Sequence, residues 1–352
     1  MNTNFPLEHL IRPNIRSLEP YTCARDEYDG QDAVFLDANE NPFDTGLNRY
    51  PDPRQRAVKA ALSALKGVAE ENITLGNGSD EIIDLLIRSI CRPGRDNIIV
   101  FSPGYSMYEV AAEVNEAAVR KLNLTPELQP DWQGALDACD ADTRAVFVVR
   151  PNNPLGTPVP IEDIEAFCAR FPAFVVVDEA YIDFSDEPSA AVLLDKYPNL
   201  VVMQTLSKSW GLASLRLGMC FSHPRLAAIL SKVKAPYNIG GLTQRTVLEA
   251  LADYPAYREK REEIRRQRER LRAILESCRW FDRVLPSRAN FILATSPYAR
   301  ELYRYLTEGK VVVRLRDIPP LIPGGMRITV GTAEQNDRLE ELLQTFRPQA
   351  TR

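Results

Sequence analysis

Thr205-Leu206-Ser207-Lys208-Ser209-Trp210-Gly211-Leu212-Ala213-Ser214-Leu215-Arg216-Leu217-Gly218 follows the apolar run Leu200 to Met203, with Gln204 between them. A short apolar run that ends in hydroxyls and glycine predicts a buried strand opening into a loop. The loop holds one amine, Lys208, behind the hydroxyls of Thr205 and Ser207, and the guanidinium of Arg216 follows within the same stretch. An amine partly withdrawn from water loses basicity and attacks carbonyls, while a guanidinium offers phosphate a planar fork. The set suits a small molecule that carries both an aldehyde and a phosphate. Taken alone, Lys208 reads as well as a lysine reaching into solvent, so its meaning depends on the rest of the chain.

Upstream the same grammar repeats. Phe174 to Val177 ends in Asp178-Glu179-Ala180-Tyr181, and Ala145 to Val149 ends in Arg150-Pro151-Asn152-Asn153-Pro154. Ile98 to Phe101 ends in Ser102-Pro103-Gly104-Tyr105, and Ile73-Thr74-Leu75 turns at Gly76-Asn77-Gly78 into the helical pattern Ile82 to Ile90. Ser79 and Asp80 are expected to cap that helix, whose exposed amides would take a phosphate. Five apolar strands, mostly separated by helical patterns, predict an α/β fold with a largely parallel sheet covered by helices. Ligands of such sheets bind outside the carboxyl ends of the strands. Ser79, Tyr105, Asn153, Asp178, Tyr181 and Lys208 all fall just past a strand end, which makes one constellation of six scattered residues.

The flanks divide the chain. Residues 1–30, broken by Pro6, Pro13 and Pro20, read as an N-terminal arm, and 31–240 as the large domain. Ala33 to Leu36 is a strand candidate, and Gln55 to Lys66 an amphipathic helix. Over 241–352 the character changes to a small α+β domain. It holds a charged helix from Tyr257 to Arg272, strands at Asn290 to Ala294, Val311 to Val313 and Arg327 to Val330, and a helix from Glu334 to Phe346.

Composition removes several classes of function. Charged residues make up 26% and hydrophobic ones 45% of the 352 residues, and no apolar run reaches the length that spans a membrane. Met1 to Leu10 lacks a basic start followed by an apolar block, so no secretory signal is expected and the cytoplasm is the expected compartment. Six cysteines without a C-x-x-C pair, and only two histidines, give neither a disulfide frame nor a metal centre nor a Ser-His-Asp triad. The net charge of −5, with Glu259, Glu262, Glu263 and Glu269 interleaved among the arginines, predicts a solvated, ion-paired helix there and no nucleic-acid partner.

Within the constellation, pyridoxal 5'-phosphate is the guest that uses every member. A carboxylate, Asp178, keeps its ring nitrogen protonated so that the ring can accept electrons. Asn153 and Tyr181 can bond the ring hydroxyl, and Tyr105 can stack on the ring face. Lys208 binds the aldehyde and, once released by a substrate amine, serves as the base that moves a proton, which is transamination. Arg216, Thr205, Ser207 and the amides near Ser79 and Asp80 anchor the phosphate.

The ordered set Thr205-Leu206-Ser207-Lys208 with Arg216, Pro151-Asn152-Asn153-Pro154, Asp178-Glu179-Ala180-Tyr181 and Arg327-Ile328-Thr329-Val330-Gly331 resembles the class I/II aminotransferases of PLP fold type I. Pro20-Tyr21, Leu36-Asp37-Ala38-Asn39-Glu40-Asn41-Pro42, Asn48-Arg49-Tyr50-Pro51 and Gly76-Asn77-Gly78-Ser79-Asp80-Glu81 are similar to the histidinol-phosphate aminotransferases among them. Leu155, where that pattern usually has threonine, and Trp210, where phenylalanine is frequent, depart from it without removing a catalytic group.

The resemblance implies a homodimer in which Tyr50 reaches the cofactor phosphate of the other subunit. It implies that Tyr21, Asn39, Arg314 and Arg327 meet the substrate, with Arg316 the alternative to Arg314, and that Arg327 also takes a carboxylate of glutamate or 2-oxoglutarate. The expected reaction joins L-histidinol phosphate and 2-oxoglutarate to give imidazole-acetol phosphate and L-glutamate, in histidine biosynthesis. The alternatives are an aminotransferase for aromatic amino acids, a threonine-phosphate decarboxylase, or a PLP-binding regulator without turnover.

Overall fold

The computed structural model describes residues 5–23 and 33–348. A seven-stranded sheet is formed by β1 (Ile73–Asn77), β2 (Asn97–Ser102), β3 (Ala118–Asn123), β4 (Thr143–Val149), β5 (Phe174–Asp178), β6 (Leu200–Thr205) and β7 (Leu217–Ser222). Its spatial order is β1-β7-β6-β5-β4-β2-β3, and only β7 runs against its neighbours. Strands β4, β5 and β6 are buried along their whole length, which is why they read as unbroken apolar runs. The helices between the strands bury their apolar faces in the same core, among them Ser79–Ile90 through Ile82, Ile83, Leu86 and Ile90.

Two strands of this sheet were not among the expected five. β3 is an edge strand with the half-exposed sequence AVRKLN, so it lacks the apolar signal. β7 follows Arg216 directly and reads as the tail of the lysine loop, yet it inserts antiparallel between β1 and β6. Its place depends on Gly218, where a Cβ would lie 2.5 Å from the backbone of Gly78 and Ser79.

A second sheet is built from β8 (Arg283–Val284), β9 (Phe291–Thr295), β10 (Arg314–Leu315) and β11 (Gly325–Thr329), all antiparallel in the order β10-β11-β9-β8. Helices Tyr254–Ser277, Ala299–Glu308 and Ala333–Thr345 close a separate core on it through Leu271, Leu275, Leu302, Leu306, Leu339 and Leu343. The arginine-rich helix is laced with ion pairs such as Arg265 to Glu262 and Arg272 to Glu269. One arginine departs from the solvated reading: Arg268 is buried, and its Nη1 donates to the carbonyls of Phe184 (3.1 Å) and Ala289 (3.2 Å).

Four further expectations are corrected. Ala33 to Leu36 forms no strand, and Val34 and Leu36 are exposed. The strand expected at Val311 to Val313 lies one step later, at Arg314–Leu315, with Val312 exposed. Ser79 and Asp80 are not caps: Gly78 holds the N-cap position, and the two residues form the first turn of the helix. The N-terminal arm does not stand apart from the large domain, since Leu7, Leu10, Ile11 and Ile15 pack into the core of the large sheet; residues 24–32 lie outside the described residues. Among the described residues no helix is long and apolar enough to cross a membrane.

Candidate active site

The parallel strands place their carboxyl ends side by side, and a pocket opens there. It is lined by Ser79 and Asp80 after β1, Tyr105 after β2, Asn153 after β4, Asp178, Ala180 and Tyr181 at and after β5, and Thr205, Ser207, Lys208 and Arg216 after β6.

Asp178 closes β5 at the pocket floor and is 3% exposed. Its Oδ2 accepts from the Tyr108 hydroxyl at 2.6 Å, and its Oδ1 from the Ala180 N–H at 3.0 Å. Burial pushes its carboxyl above the usual range, against the pull of those two bonds. Lys208 opens to the pocket with its Nζ 5.7 Å from the centre of the Tyr181 ring. Partial burial, and then the nearby charge of Arg327, hold its amine below the ordinary lysine value. Burial pushes the Tyr181 hydroxyl up to about 12, against the opposing field of Arg327.

The wall toward β1 is cut for an anion. Arg216 adopts a left-handed backbone (φ 52°), its carbonyl accepts the Gly78 N–H at 2.7 Å, and its Nη2 lies 3.4 Å from Asp80 Oδ2. A Cβ on Gly78, whose φ is +80°, would lie 2.3 Å from that Nη2, so the guanidinium occupies space that only glycine leaves. Asp80 Oδ1 in turn accepts from the Tyr105 hydroxyl at 2.9 Å. Thr205 Oγ1 accepts the Ser207 N–H at 3.1 Å and lies 3.0 Å from Ser207 Oγ, which pins the turn that carries both hydroxyls.

The second sheet approaches the pocket through Arg327. Arg327 on β11 donates from Nη1 to Asn153 Oδ1 at 2.5 Å and lies over the Phe291 ring at 5.3 Å. Asn153 Nδ2 approaches the Tyr181 hydroxyl at 3.5 Å. Arg314 stands directly opposite Arg327 in the β10–β11 register, and Arg316 follows two positions on. Burial, then Arg327 and Arg314, lower the pKa of Arg316. Among the described residues no carboxylate pairs with any of these three guanidiniums.

Other expected residues are not brought to this pocket within the chain. Tyr21 and Asn39 are exposed. Tyr50 is half exposed and stacks on Tyr237, ring centres 4.5 Å apart, in a separate surface cleft lined by Asn39, Arg49 and Arg245. Sequence reasoning missed the supports behind the pocket. Tyr108 bonds Asp178. The buried pair Arg150 and Glu179 (2.8 Å) brackets the end of β5. Asp183 receives the Ser209 hydroxyl at 2.6 Å and the Lys66 amine at 3.0 Å, holding the lysine loop from behind. The available signal was position: Tyr108 lies one helical turn past Tyr105, and Asp183 two residues past Tyr181.

The donor set fits pyridoxal 5'-phosphate. A carboxylate sits at the end of an apolar strand, an amine of lowered basicity lines the same pocket, and Arg216, seated against Gly78, offers a guanidinium beside the hydroxyls of Ser79, Thr205 and Ser207.

Residues 27–343 match the family described as aminotransferase class I and II. The histidinol-phosphate aminotransferase of Cytophaga hutchinsonii is 45% identical over 346 residues, covering 97% of this chain and 99% of the relative. That of Flavobacterium johnsoniae is 44% identical, covering 96% and 97%. Among solved structures, histidinol-phosphate aminotransferase from Sinorhizobium meliloti in complex with pyridoxal-5'-phosphate superposes with a TM-score of 0.77 at 25% identity, over 84% of this chain and 83% of that one. The enzyme from Clostridium acetobutylicum, at 23% identity over 85% and 90%, shares the fold with a TM-score of 0.78. A lysine, an aspartate and a phosphate cradle at the strand ends, together with this full-length kinship, make the chain a member of the class I and II aminotransferases.

Proposed function

We propose that the chain transfers the amino group of L-histidinol phosphate to 2-oxoglutarate, yielding imidazole-acetol phosphate and L-glutamate, as a cytoplasmic homodimer. The observation that carries this reading is Arg327, bonded to Asn153 of the pocket and neighboured by Arg314 and Arg316, none of the three paired with a carboxylate among the described residues. A dianionic phosphate, or the distal carboxylate of glutamate, supplies the charge the three lack, and one fork serves both half-reactions. The names of the curated relatives support the same substrate.

Pyridoxal 5'-phosphate, when bound, supplies an electron sink for the substrate α-carbon. The chain's own residues do the rest. Asp178 holds the proton on the ring nitrogen, and Tyr181 and Asn153 orient the ring hydroxyl. Tyr105 covers the ring face. Arg216, Thr205, Ser207 and the first-turn amides of Ser79 and Asp80 hold the phosphate, joined by the Tyr50 of a second copy. Lys208 would hold the cofactor aldehyde and, when free, would move a proton to and from the substrate α-carbon. Tyr21 and Asn39 complete the substrate end. Residues 31–240 and 241–352 act as the two lobes that meet at Arg327 and Asn153.

Steady-state comparison of histidinol phosphate with phenylalanine and threonine phosphate tests the substrate; preference for either competitor overturns the reading. Arg327→Ala is expected to harm both half-reactions, and Arg314→Ala chiefly the one with the phosphorylated amine. Equal loss toward glutamate in Arg314→Ala contradicts that division.

A further inference from the structure

Among the described residues Asp178 is the one buried carboxylate lining the pocket, and a carboxylate in that position is useful only while ionised. Burial works against it, and the charges of Asp80 and Glu179 add to the burden. Two hydrogen bonds offset this, one to each oxygen. The Ala180 N–H is backbone and fixed by the turn after β5. The other donor is a side chain, Tyr108, on the helix Met107–Val114.

Tyr108 is built to be immobile. It is 2% exposed, its ring stacks on Phe147 of β4 with centres 4.6 Å apart at 25°, and its edge meets Tyr105 at 5.6 Å and 84°. Packing of this kind fixes both side-chain torsions, so the hydroxyl is aimed by the core at Asp178 Oδ2, 2.6 Å away. Burial and the neighbouring Asp178 raise the phenol far above its ordinary value, so it acts as a donor and never as a competing anion. An oxygen that accepts one hydrogen bond keeps capacity for a second donor, and Asp178 lines the pocket.

We propose that Tyr108 is a positioning residue for the reaction: it fixes the Asp178 carboxylate and keeps it ionised, so that the proton shared with a bound pyridine ring stays on the ring nitrogen. The inference rests on the reading that Asp178 meets that nitrogen. Removing the hydroxyl disfavours the carboxylate and pyridinium pair relative to the neutral acid and neutral pyridine, and the proton moves toward Asp178.

The test reconstitutes the chain with pyridoxal phosphate carrying 15N in the ring and reads the nitrogen shift without substrate, alongside cofactor retention. Wild type is expected at the pyridinium position. Tyr108→Phe, which keeps the stacked ring, is expected to move toward neutral pyridine and to hold the cofactor roughly tenfold more weakly, as loss of one hydrogen bond to a charged group implies. Tyr105→Phe, which loses a bond to Asp80 and not to Asp178, is expected to leave the nitrogen shift in place. Thermal unfolding of the cofactor-free Tyr108→Phe chain, near that of wild type, establishes that the fold is intact. An unchanged shift in Tyr108→Phe while Asp178→Asn moves it overturns the role of Tyr108 alone. An equal displacement in Tyr105→Phe overturns it as well, by tracing the effect to the ring's seat. An unchanged shift in Asp178→Asn removes the premise about Asp178, and the inference with it.

Discussion

Lys208 is held in a conflict that a bound cofactor resolves. Its amine lies near Arg327, and partial burial with that charge lowers its pKa from the ordinary 10.5. Between the lowered value and 10.5 the unfolded chain binds more protons than the folded one, so the cofactor-free protein gains stability as pH rises through that window. Below the window the amine is charged in both states and the cost is fully present. Lys208→Met is therefore expected to be more stable than wild type at neutral pH without cofactor, the gap closing as pH approaches 10.5; urea midpoints across pH check it. Lys208→Ala should lose both the yellow chromophore and multiple turnovers. Lys208, Asp178, Asn153, Tyr181, Tyr105 and Ser79 were legible because each follows a strand end, where chain order alone predicts convergence. Tyr108 was not, because a tyrosine on the buried face of a helix looks like core until its hydroxyl partner is seen.

Elements succeed or fail as predictions according to whether burial is their only cause. β4, β5 and β6 are buried on both faces and announce themselves. Ala33 to Leu36 is equally apolar but lies outside both sheets, so apolar pattern by itself misled. β7 was hidden because its pairing is fixed by glycine rather than by apolar content. Gly76 faces Gly218 in the β1–β7 register, and Gly218 abuts the turn at Gly78 that carries the anion cradle. Gly218→Ala must push backbone against backbone, an overpacking cost of about 2 kcal/mol. It is expected to lower the melting temperature and release cofactor on gel filtration, and full retention would contradict the link between β7 and the cradle.

The lysine loop has its own brace. Burial alone would raise the Asp183 carboxyl, but Lys66 and Ser209 more than offset it and its pKa lies below the ordinary 3.8. A depressed carboxyl stabilises the fold at every pH above its unfolded value and loses that contribution only as pH falls through the folded one. Asp183→Asn leaves the shielded Lys66 amine without its counter-charge, a cost of about 2 kcal/mol. The gap to wild type is expected to be constant between pH 7 and 5 and to close only below 3.8. Chemical denaturation at several pH values checks it; a gap already closing at pH 6 implicates another group.

At the scale of the whole molecule, the site within one chain is closed on the side of the second sheet, where Arg327 bonds Asn153. The described loop 33–50 contributes none of the pocket's lining residues. There Val34, Leu36, Phe43 and Leu47 are exposed, and Tyr50 points into a cleft apart from Lys208. A surface of that character suits burial against a second copy, and sequence pattern could not show it because pairing between copies leaves no periodic mark in either. If Tyr50 serves the partner's phosphate, two defective chains can repair each other. Tyr50→Ala and Lys208→Ala, each poorly active alone, form a hybrid in which one site has Lys208 from the first chain and Tyr50 from the second. Random mixing makes half the dimers hybrids with one working site of two, so co-refolding should recover about a quarter of wild-type activity. Were Tyr50 to serve its own chain, no site in the hybrid would hold both residues and the mixture would show only the sum of its parts, so the recovered rate decides between them.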